Sequence, residues 1–332
     1  MQQETLLFIM TIIMSFIFEF TNGFHDAANV VSTVIATKVL RPLAAIIMAS
    51  CLNFLGATQI SHVVTTLTQG VIPYQITTQS IIMAALFGAI VWNILTWYLA
   101  LPSSSSYALI GGLIGAGIAG LGIDFVLWES ITKKVIIPMI FSPLIGFLLS
   151  FLIMKIFMRL ISKKIDSGSF HIFGKLQMLS AAFVAISHGF NDAQKTMAII
   201  TLALFSKGSI TTLAVPLWVI VSCALVMALG TASGGYRIIQ TVAFKISKLQ
   251  PVQGFVAEST SSCMICLAAF LGFPLSTTQL IVGSIGGVGA SSSFKNICFK
   301  TSKKIIYAWI ITIPGSMIMA VLFYKVLKWI SF

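Results

Sequence analysis

Four carboxylic acids stand inside otherwise apolar stretches of this chain: Glu19, Asp26, Asp192 and Glu258. A charge at the centre of a bilayer costs about 2.5–3.5 kcal/mol on the mildest insertion scale, so each needs a partner, a proton or a task. Two of them occur in matching contexts, Asn22-Gly-Phe-His-Asp-Ala-Ala-Asn29 and His188-Gly-Phe-Asn-Asp-Ala-Gln-Lys195. The glycine before each Asp favours an interrupted helix, whose backbone ends can bind ions where they line a cavity. Structural helix-break acids are the plainer alternative, and the duplication argues against it. A second matched pair is Pro102-Ser-Ser-Ser-Ser-Tyr-Ala-Leu-Ile-Gly111 and Pro274-Leu-Ser-Thr-Thr-Gln-Leu-Ile-Val-Gly283. Hydroxyls and free backbone N–H groups at a helix N-terminus suit an oxyanion, helped by the positive end of the helix dipole. Capping alone is the alternative, since Ser and Thr are favoured N-caps.

Lys195 follows Asp192 by three residues, on one helical face with it, so the two can pair. It stands where the first motif has Asn29. Its ammonium could neutralise Asp192, touch a bound anion, fill the place of a mobile cation, or form a purely structural ion pair. Glu19, seven residues before Asp26, reads as a partner or a proton carrier. His25 and His188 flank the two Asp motifs and read as neutral, hydrogen-bonded imidazoles.

The elements that must position these groups follow from composition. Of 332 residues, 58% are hydrophobic and only 8% are charged, against about 25% in soluble domains, which excludes a water-soluble enzyme. From Pro42 to Ile123 there is no Asp, Glu, Lys or Arg. That stretch is long enough for several passes at about 20 residues each. The apolar runs are continuous and too long for the alternating strands of a barrel. The N-terminus lacks the basic region of a cleavable signal peptide. The five cysteines fall mostly in apolar stretches, which argues against a disulfide framework. Most of the basic residues behind the net charge of +12 gather in Lys38–Arg41, Lys155–Lys175, Arg237–Lys248 and Lys295–Lys304. This is the positive-inside pattern, so those segments face the cytoplasm and no nucleic-acid partner is needed.

The expected class is an all-α, polytopic membrane protein. Apolar runs predict helices at 5–20 broken before 24–38, then 43–60, 79–101, 103–121 and 135–158. The pattern returns at 176–190 broken before 193–206, then 214–230, 254–272, 275–290 and 305–329. The two motif pairs recur in the same order at offsets of 166 and 172. This divides the chain into a first repeat, 1–158, a basic cytoplasmic linker, 159–175, and a second repeat, 176–332. Counting crossings places both termini outside and the second repeat upside down relative to the first. Such inverted-topology repeats with discontinuous helices are typical of secondary transporters.

These four motifs, in this order over nearly the whole chain, resemble the inorganic phosphate transporter (Pit) family, in its bacterial low-affinity branch. The resemblance implies a cation-coupled phosphate symporter with inverted repeats, two re-entrant hairpins and a homodimeric assembly in the bacterial plasma membrane. It implies no enzymatic activity and no cofactor beyond a coupling cation, proton or sodium. By that resemblance Ser104, Ser105, Ser106, Ser276, Thr277 and Thr278 would contact phosphate. Asp26, Asn29, Asn191, Asp192, Lys195 and Glu258 would hold the coupling cation or orient the site, with sodium, if used, at Asp26, Asn29 and Asp192. The chain departs from the family in carrying Tyr107 and Gln279 where His is frequent after each cluster. Lys195, shared with bacterial Pit-type members, stands where sodium-coupled relatives have Asn, which favours proton coupling or fewer sodium ions than in those relatives.

Three rivals remain at this stage. A sulfate permease of the same family is one. Phosphate retains a proton at neutral pH that Asp26 or Asp192 can accept in a hydrogen bond, and sulfate does not, which favours phosphate. An intramembrane aspartyl protease would use the two Asp residues as a dyad, but it leaves the serine clusters and the repeat without a role. A passive anion channel would ignore a cation gradient.

Overall fold

The structure, a computed structural model, describes residues 2–59, 62–161 and 167–330. Apart from one isolated bridge between Ser247 and Ile297, its regular elements are helical. In chain order they are α1 (Gln2–Ala36), α2 (Pro42–Ala57), α3 (Val63–Gln69), α4 (Gln79–Tyr98), α5 (Ser105–Gly120), α6 (Trp128–Ile131) and α7 (Ile137–Ile161). The second half supplies α8 (Ser167–Ser206), α9 (Leu217–Ser233), α10 (Tyr236–Phe244), α11 (Pro251–Phe270), α12 (Thr277–Ser292) and α13 (Phe299–Trp329). Short 3-10 and π turns join some of them.

Four spans among the described residues are long and apolar enough to cross a bilayer: Glu4–Ala36, Gln79–Tyr98, Trp128–Leu160 and Phe299–Trp329. The pair α9 and α10 would make a fifth, bent by 68° at Gly234-Gly235, where Gly234 has a φ of +65°. The reason for the fold lies in the direction of amphipathicity. On α1, Leu6, Ile9, Ile13 and Ile17 face outward, while Ser15, Glu19, Asn22, Asp26, Asn29 and Thr33 are buried at the same three-and-four spacing. On α8, Leu179, Phe183 and Ile186 face outward, and Gln177, Ser180, His188, Asp192 and Lys195 are buried. Apolar side chains can stay exposed because lipid is their solvent, and the polar stripe must turn inward, where partners exist.

One expectation is overturned. Neither α1 nor α8 is broken at the Asp motif: each runs through it as continuous helix. Gly23 and Gly189 are there for close packing instead. A Cβ on Gly23 would sit 2.4 Å from the carbonyl oxygen of Met227, and one on Gly189 would sit 2.2 Å from that of Asn53. The helices also extend into the proposed linker, since α7 runs to Ile161 and α8 begins at Ser167; residues 162–166 lie outside the described residues. The short helices α3 and α10 were not anticipated. α10 is amphipathic, with Ile238, Ile239 and Val242 buried under a surface carrying Arg237, and α3 is too short for periodicity to reveal.

The halves interlock. α1 packs on α9 and α8 on α2; α5 packs on α13 and α12 on α7. Small residues let these backbones approach, as is usual in membrane packing. The contacts recur in matched pairs: Gly230 meets the Phe20 carbonyl as Gly56 meets that of Ile186, and Gly115 meets the Met317 carbonyl as Gly287 meets that of Phe147. The serine-bearing segments form helix hairpins, α4 turning into α5 and α11 into α12.

Candidate functional site

The continuous polar stripes of α1 and α8 meet at the two Asp residues. Asp26, Asp192 and His188 each offer a ligand atom, and these atoms lie within 4.8 Å of one another. All three residues are buried. The N-terminus of α12 lies against both acids: Thr277 donates to Asp192 Oδ2 at 3.2 Å and Thr278 to Asp26 Oδ1 at 3.1 Å. Asn29 completes the first side by donating to the Thr278 hydroxyl at 2.8 Å. On the second side Lys195 Nζ is 2.6 Å from Asp192 Oδ1. Asn191 donates to the same oxygen at 2.8 Å, and to the Leu275 carbonyl at 3.3 Å.

The hydroxyl clusters divide into two roles. Ser104 caps α5 by accepting from the Tyr107 N–H at 3.3 Å, and Ser276 caps α12 by accepting from the Gln279 N–H at 3.2 Å. Capping therefore accounts for the side chains of Ser104 and Ser276. It does not account for Ser105, Ser106, Thr277 and Thr278, which are equally buried in the first turns. Ser105 Oγ, Asn191 Oδ1 and both ring nitrogens of His188 have no hydrogen-bond partner. His188 Nε2 is 3.3 Å from Asp192 Oδ2, an ion-pair distance without hydrogen-bond geometry. Buried groups of this kind are costly unless something pairs with them. Unpaired donors at a helix N-terminus are suited to an oxyanion.

The structure does not bring Glu258 into this cluster. Its carboxylate accepts from Thr33 Oγ1 at 2.5 Å, from Gln177 Nε2 at 3.1 Å and from Ser180. Thr33 stands seven residues beyond Asp26 on α1, about 10 Å along the helix. Sequence reasoning missed these three donors, and the only available signal was their helical spacing on buried faces. It also missed Thr96 and Ser142, and it placed Ser103 in the first hydroxyl cluster without a role of its own. Ser103 donates to Thr96 at 2.8 Å, and both approach His25 Nε2, whose Nδ1 lies 3.1 Å from Asp26. Ser142 of α7 donates to Gln279 Oε1 at 3.4 Å, and the Tyr107 hydroxyl is buried with no hydrogen-bond partner among the described residues. Cys263 is exposed and Cys266 half-buried, both as free thiols.

Comparisons with known proteins identify the family and the fold. The phosphate transporter family profile matches residues 22–171 and 162–320. A probable low-affinity inorganic phosphate transporter of Rhizobium meliloti (strain 1021) is 42% identical over 96% of each chain. One of Bacillus subtilis (strain 168) is 41% identical over 98% of each. A solved structure described as the sodium-dependent phosphate transporter superposes with a TM-score of 0.89, covering 98% of this chain and 100% of the other, at 22% identity, which shows a shared fold. The aspartyl protease alternative falls with these matches. The chain is a multi-pass membrane protein that belongs to the phosphate transporter family, whose members are transporters and not enzymes.

Proposed function

We propose that the protein imports inorganic phosphate by symport with a cation, the proton rather than sodium, through alternating access. The observation that carries this reading is the pairing of Lys195 with Asp192 between two converging carboxylates. A fixed ammonium there supplies the positive charge that a coupling ion would otherwise bring. A second unit charge about 4 Å away would be repelled by about 4 kcal/mol at an effective dielectric of 20, which disfavours sodium on the Asp192 side. Phosphate would lie against the first turns of α5 and α12, held by Ser105, Ser106, Thr277 and Thr278 with Ser104 and Ser276 shaping the turns. Asp26, Asn29, Asn191 and Asp192 would orient it. Glu258, in its own neutral pocket, would serve a coupling cation at a distance from the anion.

The architecture under this reading is two inverted repeats, 1–158 and 176–332, joined near 159–175. The matched glycine contacts support it, as does the exchange of partners between halves. The hairpins α4–α5 and α11–α12 would be re-entrant, their serine tips meeting near the midplane. A homodimer in the bacterial plasma membrane with both termini outside completes the proposal. The test is labelled-phosphate uptake into proteoliposomes under an inward proton gradient, with excess unlabelled sulfate. Accumulation that survives sulfate and collapses with the gradient supports the proposal. Uptake blocked by sulfate assigns the chain to sulfate instead. Flux indifferent to any gradient means a passive channel.

A further inference from the structure

Two of the positions at which the halves differ in charge lie close together. The glycine contacts set the register: Phe20 on α1 corresponds to Ile186 on α8, so Glu19 corresponds to Ala185 and Lys195 to Asn29. The first half has added an acid, the second an ammonium. Glu19 is fully buried and accepts a hydrogen bond from Thr196, the neighbour of Lys195. Its other oxygen, Oε1, has no partner, and both polar side-chain atoms of Asn22, one turn along α1, are also unsatisfied.

No Lys, Arg or His among the described residues forms an ion pair with Glu19, because Lys195 is committed to Asp192 at 2.6 Å. The groups that bear on Glu19 electrostatically are Asn22 from its own helix, Thr196, Lys195 and Asp192 from α8, and the buried Cys223 thiol from α9. One ammonium therefore stands among the carboxyls of Asp192, Glu19 and the adjacent Asp26. Adding a phosphate anion to that set in a water-poor interior is strongly unfavourable unless a negative charge is removed.

We propose that Glu19 is the residue that carries the coupled proton, binding it at Oε1 when phosphate enters and releasing it when phosphate leaves. A proton from the outer solution forms the O–H bond, which leaves Lys195 with Asp192 and lowers the negative charge beside the anion site. After phosphate departs inward, that bond breaks and the proton passes to inner water. The ionised carboxylate then shares Lys195 with Asp192 while the empty carrier returns. Asn22 Oδ1 and Nδ2, unsatisfied beside the carboxyl, can hold the water through which the proton travels. This assignment rests on the proton-coupled reading above.

Glu19→Gln tests it, since the amide imitates the protonated acid and cannot release its proton. In proteoliposomes the variant is expected to retain phosphate exchange, measured as counterflow with phosphate on both sides, within about threefold of the unaltered protein. Accumulation under a proton gradient is expected to fall to simple equilibration. Undiminished accumulation overturns the assignment. Loss of exchange and accumulation together, in a variant that elutes as the unaltered protein does on size exclusion, also overturns it, because that is the signature of a structural counter-charge. If Glu19→Gln does not assemble, Glu19→Asp decides: a displaced pH profile of accumulation supports the proposal, and an unmoved one overturns it. Accumulation by the unaltered protein that follows sodium and ignores the proton gradient is a separate failure, and it removes the coupling reading itself.

Discussion

The first half of the site has no ammonium where the second has one. Asp26 is met by the Thr278 hydroxyl, which itself accepts from Asn29, and by the His25 imidazole at 3.1 Å. Asp192 is met by a threonine, an asparagine and the ammonium of Lys195. The scaffolds are nearly interchangeable, with glycines in matched registers against matched carbonyls. Matched glycine contacts therefore surround different electrostatics, and under the proposed proton symport the matched frame would serve the conformational cycle and the asymmetry the coupling. A carrier of this design needs equivalent halves to exchange conformations, but it needs only one fixed charge to balance its anion.

The sharpest way to break this comparison is one substitution made on both sides. Asp192→Asn leaves Lys195 buried without its partner, which costs about 3–5 kcal/mol. Asp26→Asn leaves no such orphan charge. Both variants should lose phosphate uptake, but only Asp192→Asn should unfold markedly earlier in detergent, by a thermal-shift assay. Equal stability loss in the two would show that the halves are not electrostatically distinct.

Steric substitutions should behave in the opposite way and treat the halves alike. Gly23→Ala and Gly189→Ala each drive a methyl into a facing carbonyl, at 2.4 Å and 2.2 Å. Each should destabilise by about 1–3 kcal/mol, as overpacking does. A large disparity between the two melting temperatures would refute the matched packing.

A smaller effect separates the hydroxyls. Thr278→Val removes the bridge between Asn29 and Asp26, worth about 1 kcal/mol at a buried site. It should raise the KM for phosphate roughly fivefold, with the fold intact by size exclusion. Ser276→Ala removes only a cap and should lower stability while leaving KM within twofold.

The smallest effect is expected at an exposed ion pair in the first turns of the Trp128–Leu160 span. Glu129 and Lys133 form an exposed pair at 2.6 Å. Because the pair is solvent-exposed and screened, Glu129→Gln should leave the melting temperature unchanged between pH 4 and pH 7. A measurable loss would mean that this surface is packed against something.

Much of the site could be read from residue types. The two Asp residues, the threonines of the second hydroxyl cluster and Lys195 lie together in the structure, and charge in an apolar run admits few explanations. The helix break at Gly23 and Gly189 was the misreading, since a glycine looks the same whether it ends a helix or admits a neighbour. Only the position of the Met227 and Asn53 carbonyls distinguishes the two. Glu258 was grouped with the Asp residues because chain position says nothing about depth along a helix. Thr33, Gln177 and Ser180 carried no signal of their own, since isolated polar residues in apolar helices are common. Helix ends were legible to within a few residues at α2, α4, α5 and α12, where Pro, Ser or Thr marks them. They failed at α8 and α13, whose opening residues are polar or basic and look like loop.

The most direct test of the central claim, that a fixed ammonium stands in for a mobile cation, is a sodium titration of phosphate uptake by the unaltered protein. Proteoliposomes would hold a constant inward proton gradient while external sodium is raised from nominally zero to 100 mM against a non-transported cation at constant ionic strength. The account predicts uptake that is already full without sodium and changes by less than twofold across the range. Uptake absent at zero sodium and rising steeply with it would contradict the account, because a second cation would then occupy the place assigned to Lys195.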